Sequence, residues 1–236
     1  MHIIKDYSQN FNRKKRTKVK YLIFHYTGMK NELKAIFRLK NPTSKVSSHY
    51  FIKKNGQILL LVPPLYIAWH AGRSCWKNEK FLNKSSIGIE ISNFGHQHGY
   101  QNFTKKQILS VIKLSKFLIK KFKIRKENIL GHSDIAPTRK KDPGEKFKWE
   151  LLSKKGIGIW HKLSKKKLKF GRKVYINKKK ISKFKLNLTK FGYDKKLNNN
   201  LKTFKNVIIA FQRRFRPQII NGKIDSECYE ILKNLI

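Results

Sequence analysis

Two apolar runs in the first hundred residues predict buried strands. Residues 19–24 are mostly apolar and rich in bulky side chains, as expected for a short strand buried in a sheet. In residues 86–92, side chains alternate between the two faces of a strand, so the three isoleucines share one face. Gly88, Glu90 and Ser92 then share the other face, which gives this strand one apolar and one polar side.

Longer periodic patterns predict helices and a hairpin around these strands. Apolar residues recur at helical spacing across residues 104–122, and residues 31–40 also have a helical pattern. Residues 48–53 and 57–62 flank an Asn-Gly turn pair, which predicts a β-hairpin. Alternating strands and helices of this kind predict an α/β fold in which helices flank a mixed central sheet.

The composition changes in the last third of the chain. Residues 151–193 contain fifteen Lys or Arg and neither Asp nor Glu. Three short helical patterns follow, at residues 181–191, 201–215 and 226–235. We therefore expect two domains, with residues 1–175 carrying the sheet and residues 176–236 forming a small three-helix domain.

The segment at residues 131–144 carries the most specific chemistry. It contains His132, Lys140 and Asp142, and its two prolines keep it from becoming a helix. Imidazole and carboxylate are ligands with which proteins bind a catalytic zinc ion while one position stays open for water. His25 offers a third ligand at the end of the first predicted strand, where α/β folds place ligands; a hydrogen-bonded core histidine is the alternative.

Glu90 is the candidate acid–base group. A carboxylate in a buried strand is costly unless it is paired or faces a polar cleft. Gly88 beside it leaves room for a substrate or a second backbone to approach. A glutamate that faces water from an edge strand is the alternative interpretation of the same pattern.

Five short motifs follow one another along the first predicted domain. They are His-Tyr-Thr at 25–27, Ser-Ser-His-Tyr at 47–50, Ala-Trp-His-Ala-Gly at 68–72, Ser-Ile-Gly-Ile-Glu at 86–90 and Gly-His-Ser-Asp-Ile-Ala-Pro at 131–137. In this order they resemble the zinc N-acetylmuramoyl-L-alanine amidases of the AmpD and AmiD group, relatives of the peptidoglycan recognition proteins. Residues 210–217 resemble the small helical peptidoglycan-binding domain of AmiD-type members.

The resemblance implies both a fold and a reaction. The fold would be that of the peptidoglycan recognition proteins and amidases, and one zinc ion per chain would be held by His25, His132 and Asp142. The reaction would be hydrolysis of the amide between the lactyl group of N-acetylmuramic acid, or its anhydro form, and L-alanine in peptidoglycan or muropeptides.

The resemblance also implies catalytic roles for two residues. Glu90 falls on the position of the family's catalytic carboxylate, and Lys140 falls on that of its catalytic lysine, two residues before the Asp ligand. The next residue, Lys141, is expected to be solvated.

Further residues beside these motifs are candidates for contact with substrate. Aromatic and imidazole side chains are suited to lining a cleft, although single aromatic residues in such runs are also typical of a core, and an arginine can bind a peptide carboxylate through two hydrogen bonds. The candidates are Tyr26, His49, Trp69, His70, Arg73 and Arg139. His96 and His98 match no ligand spacing, and we expect both to be exposed.

The formal net charge of +43 is the feature most open to several explanations. A basic chain is attracted to polyanions, because binding releases condensed counterions. The lysines are scattered over both predicted domains, and the chain is also rich in Asn, Ile and Phe. We therefore prefer biased residue usage to affinity for anionic wall polymers, and we expect no specific nucleic-acid binding.

The remaining expectations concern state and location. Cys75 and Cys228 lie in different predicted domains and are expected to be free, buried thiols. No run is long and apolar enough to span a membrane, and no signal peptide is visible, so a cytoplasmic monomer is expected; a periplasmic or wall-associated location applies if Met1 is not the natural start. A peptidoglycan-binding protein without activity, or a polyanion-binding protein on the same fold, is the alternative to the enzyme.

Overall fold

A six-stranded sheet lies at the centre of the computed structural model, which describes the backbone of residues 1–236 and every side chain except that of residue 198. Over the described residues the chain forms ten strands, β1 (Ile3–Lys5), β2 (Phe11–Asn12), β3 (Tyr21–Tyr26), β4 (Tyr50–Ile52), β5 (Ile58–Leu60), β6 (Ile67–Ala68), β7 (Cys75–Trp76), β8 (Glu79–Lys80), β9 (Ser86–Ile91) and β10 (Ile129–Gly131).

Helices occupy much of the remaining chain. Within the same described residues there are nine α-helices, α1 (Glu32–Lys40), α2 (Lys105–Phe122), α3 (His132–Ile135), α4 (Trp149–Lys154), α5 (Lys165–Gly171), α6 (Lys178–Phe191), α7 (Lys195–Asn198), α8 (Leu201–Phe215) and α9 (Ser226–Leu235). The N-terminus of α2 is capped, since Thr104 and Gln107 form a reciprocal capping box.

The sheet is mixed, as predicted. Its strand order is β1-β5-β4-β9-β3-β10, in which only the predicted hairpin pair β4–β5 is antiparallel. Parallel pairing brings the carboxyl ends of β9, β3 and β10 to the same edge of the sheet, where α/β folds place ligands. The register sets His25 opposite Glu90, so the two side chains leave adjacent strands on the same face.

One face of the sheet is covered by α2. The isoleucines Ile87, Ile89 and Ile91 of β9 pack there with Leu114 and Leu118 of the helix, and all five are fully buried. This arrangement confirms the predicted alternation along β9, and it leaves Gly88 and Glu90 on the opposite face. Burying one such side chain contributes about 1.5–3 kcal/mol, so this contact fixes the strand firmly.

The opposite face is partly covered by the C-terminal helices. Tyr21 and Ile23 of β3 belong to the same apolar core as Phe184 of α6 and Phe211 and Phe215 of α8. The sheet and the helical unit therefore share one continuous core, which fixes the position of the C-terminal helices against the strands.

The predicted helices of the last third are present, together with two that the pattern did not predict. Helix α5 precedes the predicted division at residue 175, yet it belongs with the later helices: Arg172, just after it, donates two hydrogen bonds to Glu227 of α9. Its lysines all face solvent, which explains why hydrophobic periodicity did not reveal it. Helix α5 is therefore joined to α9 by this ion pair.

The structure also bears on two other expectations, the state of the cysteines and the presence of a membrane-spanning helix. Cys228 is buried, but Cys75 is only half-buried because it lies on the short hairpin β7–β8; both are free. Over the described residues, the structure has no helix with the length and hydropathy needed to cross a bilayer.

Candidate metal centre and active site

Three predicted ligands meet at the carboxyl ends of the central strands. His25 is the fifth residue of β3, and His132 opens α3 directly after β10. Asp142 lies in the loop that follows, where its backbone carbonyl accepts a hydrogen bond of 2.8 Å from the amide of Ser133. The parallel strands β3 and β10 therefore position the two histidines, and this backbone contact places the Asp142 carboxylate beside them.

The three side chains converge on a single point. The Nδ1 atoms of His25 and His132 lie 2.9 Å apart, and each lies 3.0 Å from Oδ2 of Asp142. All three residues are buried. Ligand atoms around a tetrahedral zinc ion are separated by roughly 3.3 Å, so this triangle is close to the size that zinc requires.

A chain of hydrogen bonds fixes the tautomer of His25. The hydroxyl of Ser86 donates to the carbonyl of Leu82 over 2.5 Å, so its oxygen accepts from Nε2 of His70 over 3.2 Å. Burial holds the pKa of His70 well below its usual range, so this ring is neutral and its Nδ1 is unprotonated. That atom accepts from Nε2 of His25 at 3.0 Å, which leaves Nδ1 of His25 unprotonated as well.

His132 is held in the same way by a backbone group. Its Nε2 lies 3.1 Å from the carbonyl oxygen of Ala71, an acceptor only, so this nitrogen carries a proton and Nδ1 is the ring atom directed at Asp142. The two Nδ1 atoms and the Asp142 carboxylate oxygen face one another over hydrogen-bond distances, which in the absence of a cation require a shared proton. A zinc ion would displace that proton and bind all three atoms, so the residues present fit a zinc ion.

The titration of these groups agrees with that arrangement. Burial, followed by the charge of the nearby His132, lowers the pKa of His25 to about 4, while Asp142 opposes this fall. Burial acts to raise the pKa of Asp142, but charge and hydrogen-bond interactions with His132 and His25 outweigh it and hold that pKa far below its usual value. Neutral histidine and ionised aspartate are the states in which both residues bind metals.

An open cleft of about 420 Å³ leads to this triad, and the two predicted catalytic residues line it. Glu90 is only partly buried, since it faces the cleft from the strand beside His25. Burial, followed by the charge of Asp142, raises the pKa of Glu90 to about 8, while Lys140 opposes that rise. The cleft therefore holds a carboxyl group and an ammonium group beside three side chains that could hold a metal ion.

The comparisons with known proteins agree with this geometry. Residues 15–145, more than half of the chain, match the profile of the N-acetylmuramoyl-L-alanine amidase family. The chain belongs to this family. It is 37% identical over 233 residues to the N-acetylmuramoyl-L-alanine amidase AmiD of Escherichia coli, which covers 93% of this chain and 83% of AmiD.

Two solved structures with bound ligands share the fold of this amidase family member. The complex of AmiD from E. coli with the substrate anhydro-N-acetylmuramic acid-L-Ala-D-gamma-Glu-L-Lys matches with a TM-score of 0.82 and 35% identity, covering 95% of this chain and 91% of that one. AmpDh3 of Pseudomonas aeruginosa in complex with anhydromuramic pentapeptide matches with a TM-score of 0.80 and 28% identity, covering 94% and 93%. The resemblance seen in the motifs and the predicted fold are thereby confirmed.

The amidase cleft contains four of the six predicted substrate-contact residues. They are Tyr26, Trp69, His70 and Arg139. The guanidinium of Arg139 is partly engaged already, because it donates to the backbone carbonyls of Ala71 and Arg73.

His49 and Arg73 lie elsewhere. His49 is fully buried below the cleft: its Nδ1 accepts from the amide of Gly88, and its other nitrogen lies beside Tyr66 and Arg16. Neither residue lines the cleft, and Arg73 is exposed beside it. The structure therefore leaves both outside the lining of the cleft, His49 because it is buried in the interior and Arg73 because its side chain faces solvent.

His96 was expected to be exposed, and that expectation is wrong. Its Nδ1 lies 2.8 Å from the hydroxyl of Tyr26 and its Nε2 lies 3.0 Å from Glu145, so it joins β3 to the loop beyond Asp142 at the rim of the cleft. The spacing of metal ligands gave no sign of this role, because both partners are distant in the sequence. His98 is exposed, as predicted.

Substituting Gly88 by Ala is expected to disturb the metal centre of this amidase. A Cβ there would lie 2.5 Å from Cγ of His70, whose ring is held at both nitrogens. Overpacking of this kind costs about 1–3 kcal/mol, so chemical denaturation should show lower stability and chelator competition should show weaker zinc binding. Adding His70→Ala removes the ring that collides; strictly additive losses in the double variant would contradict this account.

Proposed function

We propose that this protein is a zinc-dependent N-acetylmuramoyl-L-alanine amidase. It would hydrolyse the amide that joins the lactyl group of muramic or anhydro-muramic acid to L-alanine in peptidoglycan or muropeptides. The observation that carries the proposal is the convergence of the Nδ1 atoms of His25 and His132 with the Asp142 carboxylate, beside Glu90. Family membership supports the same reaction.

His25, His132 and Asp142 would hold the zinc ion. When bound, zinc polarises the amide carbonyl and lowers the pKa of water from 15.7 to about 7. Glu90 would take a proton from the attacking water and pass it to the departing alanine nitrogen. Lys140 would place its positive charge where the carbonyl oxygen becomes negative, a charge that is greatest in the transition state.

The charge of the cleft fits a peptide that carries carboxylates. Apart from Glu90 and Asp142, the charged groups among its described lining residues are all cationic: Arg38, Arg139, Lys140 and Lys141. A γ-linked glutamate, as in the ligand of the AmiD complex, keeps a free α-carboxylate that such a lining would attract. The helical C-terminal unit is proposed to add affinity for peptidoglycan.

The direct test combines metal analysis with product analysis. Purified chain should contain one zinc ion per molecule and should release the L-alanine-terminated peptide from an anhydro-muropeptide, and a chelator should stop this release. Binding of muropeptide without zinc and without cleavage would make the protein a receptor and would overturn the proposal.

The adjacent lysines provide a matched test of the proposed oxyanion contact. Lys140→Met is expected to lower kcat by about 100- to 1,000-fold with little change in zinc content, because the stabilising charge is lost. Lys141→Met removes the same charge from an exposed neighbour and should cost less than about tenfold. Steady-state kinetics on both variants measures the two losses of kcat. Equal losses would contradict the role of Lys140.

A further inference from the structure

The C-terminal unit supplies the partners of a buried carboxylate beside the metal centre. Asp134, two residues after His132, has a side chain that is only 1% exposed. Arg214 of α8 donates to its Oδ2 over 2.6 Å, and the hydroxyl of Tyr193 donates to its Oδ1 over 3.1 Å. Both partners come from the helical unit, 59 and 80 residues further along the chain.

Asp134 in turn holds the turn that carries His132. Its Oδ2 also accepts a hydrogen bond of 2.7 Å from the amide of Gly131, the residue that links β10 to α3. A side chain on Gly131 would collide with Pro143, with its Cβ 2.6 Å from the proline Cδ, so this turn and the Asp142 loop are in close contact. A movement of Asp134 would therefore displace the backbone just before His132, which packs closely against the Asp142 loop.

Arg214 is itself held rigidly against the catalytic unit. Its second terminal nitrogen donates to the carbonyl of Ile129 over 3.0 Å, and its guanidinium lies 4.2 Å from the ring centre of Trp149. One guanidinium thus contacts both strand β10, which precedes His132, and helix α4, which follows the Asp142 loop. Because the planar group fits both contacts at once, a flexible ammonium would not replace it equally.

The neighbouring arginine contacts the other end of the same loop. Nε of Arg213 lies 3.5 Å from the carboxylate of Glu145, three residues after Asp142. The same carboxylate is 3.0 Å from Nε2 of His96. Consecutive arginines of α8 therefore reach both flanks of the segment that carries His132 and Asp142.

From this geometry we infer that the C-terminal unit helps to position a ligand of the metal centre. Arg214, acting through Asp134, is a positioning residue for His132. The inference rests on the proposed zinc site. The helical unit would then have a second role besides binding peptidoglycan. Loss of its hydrogen bonds to Asp134 would weaken metal binding, although the cleft and all three ligands would remain present.

The test measures zinc affinity by competition with a chromophoric chelator. In Arg214→Met, which keeps an apolar side chain over Trp149, zinc should bind about 10- to 100-fold more weakly, the usual effect of removing a partner that orients a metal ligand. Tyr193→Phe, which removes one hydrogen bond from Asp134, should weaken binding less but in the same direction. Native affinity in a folded Arg214→Met protein would overturn the inference.

Arg216→Met is the matched control. Arg216 lies two residues further along and pairs with Asp225 over 2.8 Å, equally buried but within the helical unit. Its loss should lower stability and leave zinc affinity near native; an equal loss of zinc binding would reduce the Arg214 effect to general destabilisation and overturn the inference.

A second variant keeps the test decisive if Arg214→Met does not fold. Asp134→Asn combined with Arg214→Gln removes both charges together and avoids an unpaired buried carboxylate. It should fold and bind zinc more weakly than the native chain, and native affinity would again overturn the inference. A native chain that binds no zinc would instead contradict the proposed metal centre itself.

Discussion

His132→Ala is expected to abolish zinc binding and amide hydrolysis together. The ring supplies one of three ligand atoms within 3.0 Å of one another, and its loss leaves a two-ligand site. Changing a partner that only orients a ligand costs about 10- to 100-fold in metal affinity, so removal of the ligand itself should cost more. Zinc analysis after dialysis and a muropeptide cleavage assay measure the two losses.

Thermal unfolding gives an independent measure of the same change. Zinc at 100 times its dissociation constant should stabilise the native chain by about 2.7 kcal/mol, because it binds the folded state only. His132→Ala should gain nothing from zinc. His161→Ala is the matched control, since His161 is also buried but packs against Trp160, away from the ligand triad. A variant of His132 that zinc still stabilises would remove His132 from the ligand set.

Glu90→Gln is expected to separate chemistry from metal binding. Glutamine has the same shape but cannot accept and release a proton, so kcat should fall by about 100- to 10,000-fold, the usual contribution of a general acid–base group. Glu90 lies outside the ligand triad, so zinc content should remain at one per chain. Turnover within tenfold of native would show that another group moves the proton.

The same variant should change how stability depends on pH. Burial, and then the charge of Asp142, raises the pKa of Glu90 from 4.5 to about 8. Below pH 4.5 both folded and unfolded states hold this proton; between 4.5 and about 8 only the folded state holds it, so stability falls as pH rises. Denaturant titrations of zinc-free protein at pH 5 and pH 8 should therefore show a smaller fall in Glu90→Gln than in the native chain.

The sheet and its polar face were within reach of sequence because local patterns determine them. Alternation along residues 86–92 separated the isoleucines that pack on α2 from Glu90, which faces the cleft. The hairpin and the caps depend on neighbouring residues as well. The family resemblance then indicated which polar residues at the strand ends belong together, and in the structure His25, His132 and Asp142 do meet.

The contacts that the sequence did not reveal join distant residues. The partner of Asp134 is 80 positions away, and nothing about either residue alone distinguishes a buried ion pair from two solvated charges. The contacts of His96 were missed for the same reason, because Tyr26 and Glu145 are also distant from it in the sequence. The solvent-facing lysines of α5 concealed a helix, and the net charge of +43 is still explained only by the predictions made from composition.

The apolar core shared by β3 and the C-terminal helices has a consequence for how this protein can evolve. Phe184, Phe211 and Phe215 meet Tyr21 and Ile23 in one packed cluster. A recombination event that exchanged the helical unit for an unrelated one would expose this surface and leave Asp134 without its arginine. Substitutions on the two sides of the junction should therefore be inherited in compensating pairs, and the two units should diversify together rather than as interchangeable modules.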